Sequence, residues 1–290
     1  MEKFQKTKTI LCKDNGRSGD ATSANFILGC RDQNNNPYCQ YCYVHRFNRP
    51  TVYLNTNISE ILLACNNWVN TKPLIKTPNQ VHNSLYLVDI GCDVDINKYW
   101  NKYDWKRVFD YFKDHPRMGA TFATKWYNPL LLNYDSNKKI RIRHSLIPEN
   151  IRTQVEKSTS LTLTRIKGAQ KLFEAGWEVH FNLSPVIYYD NYLNDYKELF
   201  NIINNEVSQE FKDQCGLEII FLTHNANLNK INLERGLNES LLWNPEIQEE
   251  KISKYGGNNV RYKWQLKEKL INELTQLINE DLKIKIRYIF

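Results

Sequence analysis

No stretch of this chain approaches the roughly 18 consecutive apolar residues that a membrane-spanning helix needs, and Met1-Glu2-Lys3-Phe4-Gln5-Lys6 lacks the apolar centre of a secretory signal. The expectation is a soluble, cytoplasmic protein. The cysteine count is odd, seven in 290 residues, which excludes complete disulfide pairing; in a reducing compartment these are thiols or metal ligands. No internal repeat is visible, and no low-complexity tract beyond the Asn enrichment around Gln33 to Asn36, so a solenoid is not invoked. Charge of one sign is in only modest surplus. Lys and Arg number 39 against 32 Asp and Glu, and the net charge of +7 attracts polyanions without forming a dedicated basic tail.

What is present is enough apolar material, 41% of residues with 12% aromatic, for one large domain or one domain with a small appendage. Apolar β-type runs at 26–28, 85–90, 120–124, 140–143, 177–183 and 217–222 alternate with helical patterns. The sequence Asn57-Ile58-Ser59-Glu60 reads as a capping box opening a helix through Ile61, Leu62 and Trp68. A helix over 105–115 is stopped by Pro116, and another, capped by Ser160, places Ile166, Ala169, Leu172 and Phe173 on one face with Gly176 just past its end. Residues 193–206 form a further helix. Such alternation predicts a parallel sheet with helical crossovers, and six strands fall short of the eight that close a full barrel. The expected fold is an α/β open partial barrel of six strands over residues 1–228. Beyond Asn225 the alternation stops. A turn signal at 254–259, a helix with Leu266, Leu270, Leu274 and Leu277 on one stripe, and an alternating segment over 284–290 predict an extension of residues 229–290 docked on the barrel.

In α/β barrels, functional residues stand at the carboxyl ends of the strands, where the βα loops converge. Here those ends offer Cys30, Cys92, Lys125, Ser145, Ser184 and His224. Taken singly, each has a plainer reading: a Ser at a strand end caps helices, and Cys92 after Gly91 packs as a small hydrophobe. The cysteines at 30, 39 and 42 are different. Three of the seven fall within thirteen residues on a polar loop after an apolar run, which is ligand placement. Converging thiolates suit a soft metal or an iron–sulfur cluster, in which three ligands leave one iron open; with His45 they also compose a Cys3His zinc set of structural type. That second composition describes a non-catalytic nucleic-acid-binding protein.

The stretch Gly29-Cys30, then Cys39-Gln40-Tyr41-Cys42-Tyr43, resembles the cluster loop of radical S-adenosylmethionine (SAM) enzymes, and its flanking tyrosines resemble the spore photoproduct lyase branch. The similarity extends to Gly91-Cys92-Asp93-Val94-Asp95, Thr124-Lys125, Arg141-Ile142-Arg143-His144-Ser145, Ser184-Pro185-Val186-Ile187-Tyr188 and Ile286-Arg287-Tyr288-Ile289-Phe290. Eight residues separate Cys30 from Cys39 where the family has three, an insertion a solvent-facing loop accommodates. The resemblance implies a lyase that repairs a thymine photolesion in DNA, with a [4Fe–4S] cluster on Cys30, Cys39 and Cys42 and SAM chelated at the open iron. It implies SAM contacts from Tyr41, Asp95, Lys125, Ser145 and Ser184, and hydrogen-atom transfer by Cys92 with Tyr43. Arg261 and Tyr262 fall where the family's DNA-contacting hairpin lies. Val94 replaces an expected serine, removing one SAM contact. The implied partners are lesion-bearing DNA and an electron donor such as a flavodoxin or ferredoxin, and the expected state is a monomer. The same machinery acting on RNA or another substrate is the second enzymatic reading.

Overall fold

Parallel strands need crossover connections, and the amphipathic segments between the apolar runs supply them. The computed structural model describes residues 2–8, 21–31, 38–47, 51–73, 82–252 and 258–290. Strands β1 (Glu2–Gln5), β2 (Ala21–Ser23), β3 (Ile27–Leu28) and β4 (Val52–Asn55) precede helix α1 (Ile58–Asn70). Then come β5 (Tyr86–Asp89), α2 (Trp105–Asp114), β6 (Met118–Thr124), β7 (Ile140–Leu146), α3 (Glu149–Val155), α4 (Thr162–Glu174) and β8 (Glu178–Val186). Helices α5 (Tyr192–Glu206) and α6 (Gln209–Gln214) lead to β9 (Gly216–Phe221), and β10 (Thr223–His224) and α7 (Ala226–Glu234) follow. Strands β11 (Gln248–Ile252) and β12 (Asn258–Tyr262), helix α8 (Trp264–Leu277) and β13 (Lys285–Ile289) complete the chain.

The main sheet has the order β13-β9-β8-β7-β6-β5-β2 and forms an open, curled half-barrel. Among the described residues it has seven strands, not six, and two of the expectations account for the difference. The run at 26–28 is not its first strand: Ile27 and Leu28 pair antiparallel with Leu54 and Tyr53 in a separate sheet of order β1-β4-β3. The first place goes to Ala21–Ser23, parallel to β5 through Ala21↔Leu87 and Ser23↔Asp89. At the other edge the terminal segment is a strand of the sheet itself, with Ile286 opposite Leu217 and Ile289 opposite Ile219 on β9. The Asn-rich insertion and the turn residues at 254–257 lie outside the described residues.

Two compact units share the chain. The first comprises Met1–Asn35, Pro50–His144 and Lys167–His180, the second Asn36–Arg49, Ser145–Ile166 and Phe181–Phe290. The first unit is built on an aromatic core: Phe109 stacks on Phe122 at 6.0 Å and meets Trp177 edge-on at 5.9 Å, and Phe26 meets Trp105 at 6.1 Å. Such pairs add about 0.5–1.5 kcal/mol each beyond the area they bury. Helix α4 ends as its glycine foretold. Gly176 adopts φ +89°, its N–H donates to Phe173 O (2.9 Å), and Trp177 N–H donates to Leu172 O (3.0 Å), satisfying the last carbonyls. The predicted capping box at Asn57 works differently: its side chain makes no cap bond but clasps Thr7, accepting from its N–H (3.1 Å) and donating to its carbonyl (3.1 Å). The second unit packs Phe181 against Phe211 at 5.1 Å and buries Leu217, Ile219, Leu270 and Leu274. Among the described residues no helix is long and apolar enough to cross a membrane.

Candidate functional site

Within the first unit, the loops that follow β3, β5 and β6 are tied to one another by backbone and carboxylate hydrogen bonds. Cys30 is buried, and both of its neighbours are clamped. Gly29 N–H donates to Asp93 O (3.1 Å), while Arg31 donates its N–H to the Tyr99 hydroxyl (3.0 Å) and accepts that hydroxyl's proton at its carbonyl (3.0 Å). Gly29 sits at φ +109°, which a residue with a side chain rarely adopts. The start of the cysteine stretch is thereby fixed to the loop carrying Cys92.

At the end of β5, Asp89 accepts the Gly91 N–H on one oxygen (3.0 Å) and Arg143 on the other (2.8 Å); Arg143 also donates to the Thr121 hydroxyl (3.0 Å). Gly91 is required here, since a Cβ would stand 2.9 Å from Phe122 Cβ. The turn presents Cys92 half-buried, its thiol donating to Asn25 Oδ1 at 3.6 Å. Val94 is buried, in keeping with its apolar side chain. Asp95 accepts from the Thr124 hydroxyl (2.7 Å) and from the N–H groups of Lys125 (2.6 Å) and Asn97 (3.2 Å). Burial raises its carboxyl to about 6, these bonds and the Lys125 charge opposing the rise. Asp95 thus couples the β5 and β6 loops and holds the backbone from which the Lys125 side chain projects.

Within the second unit, the two residues between Cys39 and Cys42 are the anchors of their turn. Gln40 N–H donates to Val155 O (3.0 Å), its amide donates to Gln154 O (3.2 Å), and its carbonyl accepts from Asn232 (2.9 Å). Tyr41 donates its phenol proton to Glu156. Glu156 and Arg165 form an ion pair (2.7 Å) with no exposed surface on either side chain. Arg165 further donates to the carbonyls of Ser160 (2.9 Å) and Ser145 (2.8 Å). Burial pushes the Glu156 carboxyl up, and the Arg165 charge resists it. Ser145, at the end of β7, is buried; Ser184 lies half-buried within β8. After Cys42 the chain enters a 3-10 helix over Tyr43–Phe47, with His45 N–H donating to Cys42 O (3.0 Å), and Tyr43 is 52% exposed.

The remaining candidates occupy the second unit's three-stranded sheet, of order β10-β12-β11. His224 is buried and hydrogen-bonds Glu239 at 2.6 Å, so this strand-end histidine is used internally. Arg261 pairs with Glu249 across the hairpin (2.9 Å). Tyr262 is 2% exposed, and its hydroxyl accepts from Tyr188 N–H (2.8 Å). In this structure Tyr262 braces the chain after β8, leaving Arg261 as the hairpin's accessible group of the two.

The donor set fits an iron–sulfur cluster. The six described cysteines are all thiols, and burial pushes Cys65 and Cys215 up to about 12, which keeps those two protonated and structural. Among the described residues no three Cys, His, Asp or Glu side chains gather closely enough to hold a single metal ion. A cubane asks for something else, one thiolate at each of three separate corners, and Cys30, Cys39 and Cys42 on one short stretch supply soft donors of that number. Glu156, Arg165, Asn25 and Asp89 escaped the sequence reading as functional residues, and Arg143 entered it only as part of a matching stretch. Arg165 in particular sits on a helical face whose other members are apolar, and nothing in its pattern tells a buried arginine from a solvated one.

The profile of the spore photoproduct lyase family matches residues 22–290. A spore photoproduct lyase of Clostridium acetobutylicum is 25% identical over 280 residues, covering 92% of this chain and 77% of the relative. That of Bacillus subtilis strain 168 is 24% identical over 243 residues, covering 82% of this chain and 64% of the relative. Among solved structures, a spore photoproduct lyase complexed with dinucleoside spore photoproduct superposes with a TM-score of 0.83 at 18% identity, covering all of this chain and 82% of the other. A doubly substituted spore photoproduct lyase with bound AdoMet and dinucleoside spore photoproduct gives 0.77 at 17% identity, covering 91% and 74%.

Proposed function

The chain belongs to the spore photoproduct lyase family, and from that premise we propose that it is a radical SAM enzyme that reverses a thymine photolesion in DNA. The observation that carries the reading is the family match over residues 22–290, which includes every residue of the cysteine stretch and the Cys92 turn. Cys30, Cys39 and Cys42 would hold the cluster, and Tyr41, Asp95, Lys125, Ser145 and Ser184 would serve SAM. Bound there, the pair supplies a primary carbon radical able to take hydrogen from a C–H bond of the lesion.

The residues then have separable tasks. The Lys125 ammonium and Ser145 hydroxyl suit carboxylate and ribose, and the Asp95 carboxylate suits an amino group. Tyr41, its phenol committed to Glu156, contributes through position and its ring. Cys92 ends the repair. When a carbon radical remains on one thymine, its thiol S–H bond breaks homolytically and a C–H bond forms, leaving a thiyl on sulfur. Tyr43 would restore the thiol by giving up its phenolic hydrogen atom, and the phenoxyl oxygen so left would regain one from the 5′-deoxyadenosine formed when the lesion's hydrogen was taken. The Cys92 thiol donates to a neutral acceptor, the Asn25 amide oxygen. A reductant such as a flavodoxin or ferredoxin supplies the electron, and the enzyme acts as a monomer.

The test uses Cys92→Ala, anaerobically reconstituted, with UV-irradiated thymidine dinucleotide. Cleavage of SAM persists, thymine yield falls, and adducts of the unquenched radical accumulate. Clean, full repair by this variant would place the hydrogen donor elsewhere.

A further inference from the structure

In the second unit a buried histidine–glutamate pair is linked through one amide to the backbone of the cysteine turn. His224 Nε2 hydrogen-bonds Glu239 Oε2 (2.6 Å), and Asn232 Nδ2 donates one hydrogen to Glu239 Oε1 (2.7 Å) and the other to Gln40 O (2.9 Å). All three side chains are buried, Asn232 with no exposed surface. A carboxylate and a carbonyl oxygen both accept, so the Asn232 amide has a single orientation. Each member is also held by its backbone. Asn232 O accepts from the N–H groups of Arg235 (3.1 Å) and Leu237 (3.0 Å), where Gly236 at φ +70° turns the chain out of α7. Glu239 O accepts from Leu242 and Trp243 (2.8 Å each), and the Trp243 ring meets the His224 ring edge-on at 6.0 Å.

Apolar side chains of similar volume would fasten α7 to β10 without the cost of taking a carboxylate and an imidazole out of water. What packing cannot do is fix the direction of one peptide, and a peptide is where this network ends. Gln40 N–H is committed to Val155 O on α3 (3.0 Å), and Cys42 N–H to Cys39 O within the turn (3.2 Å). Asn232 takes the carbonyl that lies between them. The Gln40–Tyr41 peptide is trans, so its N–H points opposite to its C=O. Drawing Gln40 O toward Asn232 therefore turns the positive end of that dipole, Tyr41 N–H, away from α7.

We propose that Asn232, held by Glu239 and His224, is a positioning residue for the iron–sulfur cluster: it fixes the Gln40–Tyr41 peptide dipole beside the Cys39 and Cys42 thiolates and so raises the potential at which the cluster accepts its electron. The proposal rests on the repair reading only for the cluster on Cys30, Cys39 and Cys42. Hydrogen bonds and dipoles at the sulfurs are among the terms that set such potentials, and groups behind the ligands tune a metal site as the ligands do. Reduction adds negative charge to sulfurs that are already anionic, and a dipole fixed in advance receives it without reorganising.

The experiment is an anaerobic redox titration of the reconstituted enzyme, without SAM or substrate, followed by visible absorbance and by the EPR signal of the reduced cluster. Asn232→Leu keeps the side chain's size and removes both donors. At the midpoint potential of the unsubstituted enzyme its ratio of reduced to oxidised cluster falls about tenfold, a shift of about −59 mV for one electron. Glu239→Gln keeps an acceptor for Asn232 and does not lower the potential. Leu228→Ala, at a buried position of the same helix, lowers stability and leaves the potential in place. Thermal melting of each apoprotein ranks stability separately, and should Asn232→Leu not fold, Asn232→Ala removes the same donors without the bulk. An unchanged or raised potential in the folded Asn232 variant overturns the proposal, and so does an equal fall in Leu228→Ala, which would make the effect one of stability alone. Failure of the cluster assignment shows apart from these, as an unsubstituted chain that takes up no iron and sulfide, and it removes the proposal as well. A chain that holds the cluster and gives the expected shift but turns over no irradiated dinucleotide refutes the lesion reading and leaves Asn232 its role.

Discussion

Asp95 shows how much one buried carboxylate can govern. With its carboxyl raised to about 6, it is charged at neutral pH and takes a proton within a range that enzymes tolerate. An acid raised in the folded state binds its proton more tightly folded than unfolded, so its contribution to stability declines as pH climbs from about 4 to 6 and is level above that. Cofactor affinity should run the opposite way. If Asp95 receives the SAM amino group as an anion, calorimetric SAM binding weakens as pH drops through about 6, roughly tenfold by one unit below it, and the dependence disappears in Asp95→Asn. Gly91 gives a steric counterpart. A methyl there meets Phe122 Cβ at 2.9 Å, so Gly91→Ala should cost about 1–3 kcal/mol in denaturant titration and displace the adjoining thiol from Asn25. These roles were only half legible from residue types. Cys92 and Lys125 stand out at strand ends, and Asp95 enters only through the family resemblance; that Asp95 grips Lys125 N–H depends on where two loops meet, which no spacing records.

At the scale of elements, the turn holding Cys39 and Cys42 depends on a pair remote from it in sequence. Arg165 on α4 and Glu156 after α3 neutralise one another without exposed surface, and Tyr41 hangs from that pair. Arg165→Met leaves an uncompensated buried carboxylate and should destabilise by about 3–5 kcal/mol, whereas adding Glu156→Leu should recover most of the loss in the same unfolding assay. Tyr41→Phe, which spares the ion pair, should cost only about 1 kcal/mol. Helices were the most legible elements, because α2 and α4 carry both their apolar period and their stop signals. The first strand of the sheet was not. Ala21–Ser23 is three residues long with no apolar signature, while the more hydrophobic Ile27–Leu28 pairs with β4 in another sheet. Hydrophobicity marks what is buried and does not choose the partner: Ala21 and Ile27 are both buried, yet their strands lie in different sheets.

For the whole molecule, the two compact units are interleaved: the chain passes from one to the other at five points, near residues 35, 49, 144, 166 and 180. A cut at residue 228, where the strand–helix alternation ends, would remove β13 and leave β9 as an unpaired edge. A fragment of residues 1–228 should therefore associate in size-exclusion chromatography and melt without a cooperative transition, in contrast to the full chain. The pairing of β13 with β9 also bears on how the protein is made. Phe221 ends β9, and the 63 residues from 222 to 284 must be synthesised before the first residue of its outer neighbour exists. At roughly 5–20 residues per second, that leaves the edge carrying Leu217, Ile219 and Phe221 without its final partner for about 3–13 seconds in every round of translation. Nascent chains should accordingly recruit a holdase during that interval, and slowing elongation between codons 222 and 284 should lower the soluble yield more than slowing it anywhere upstream.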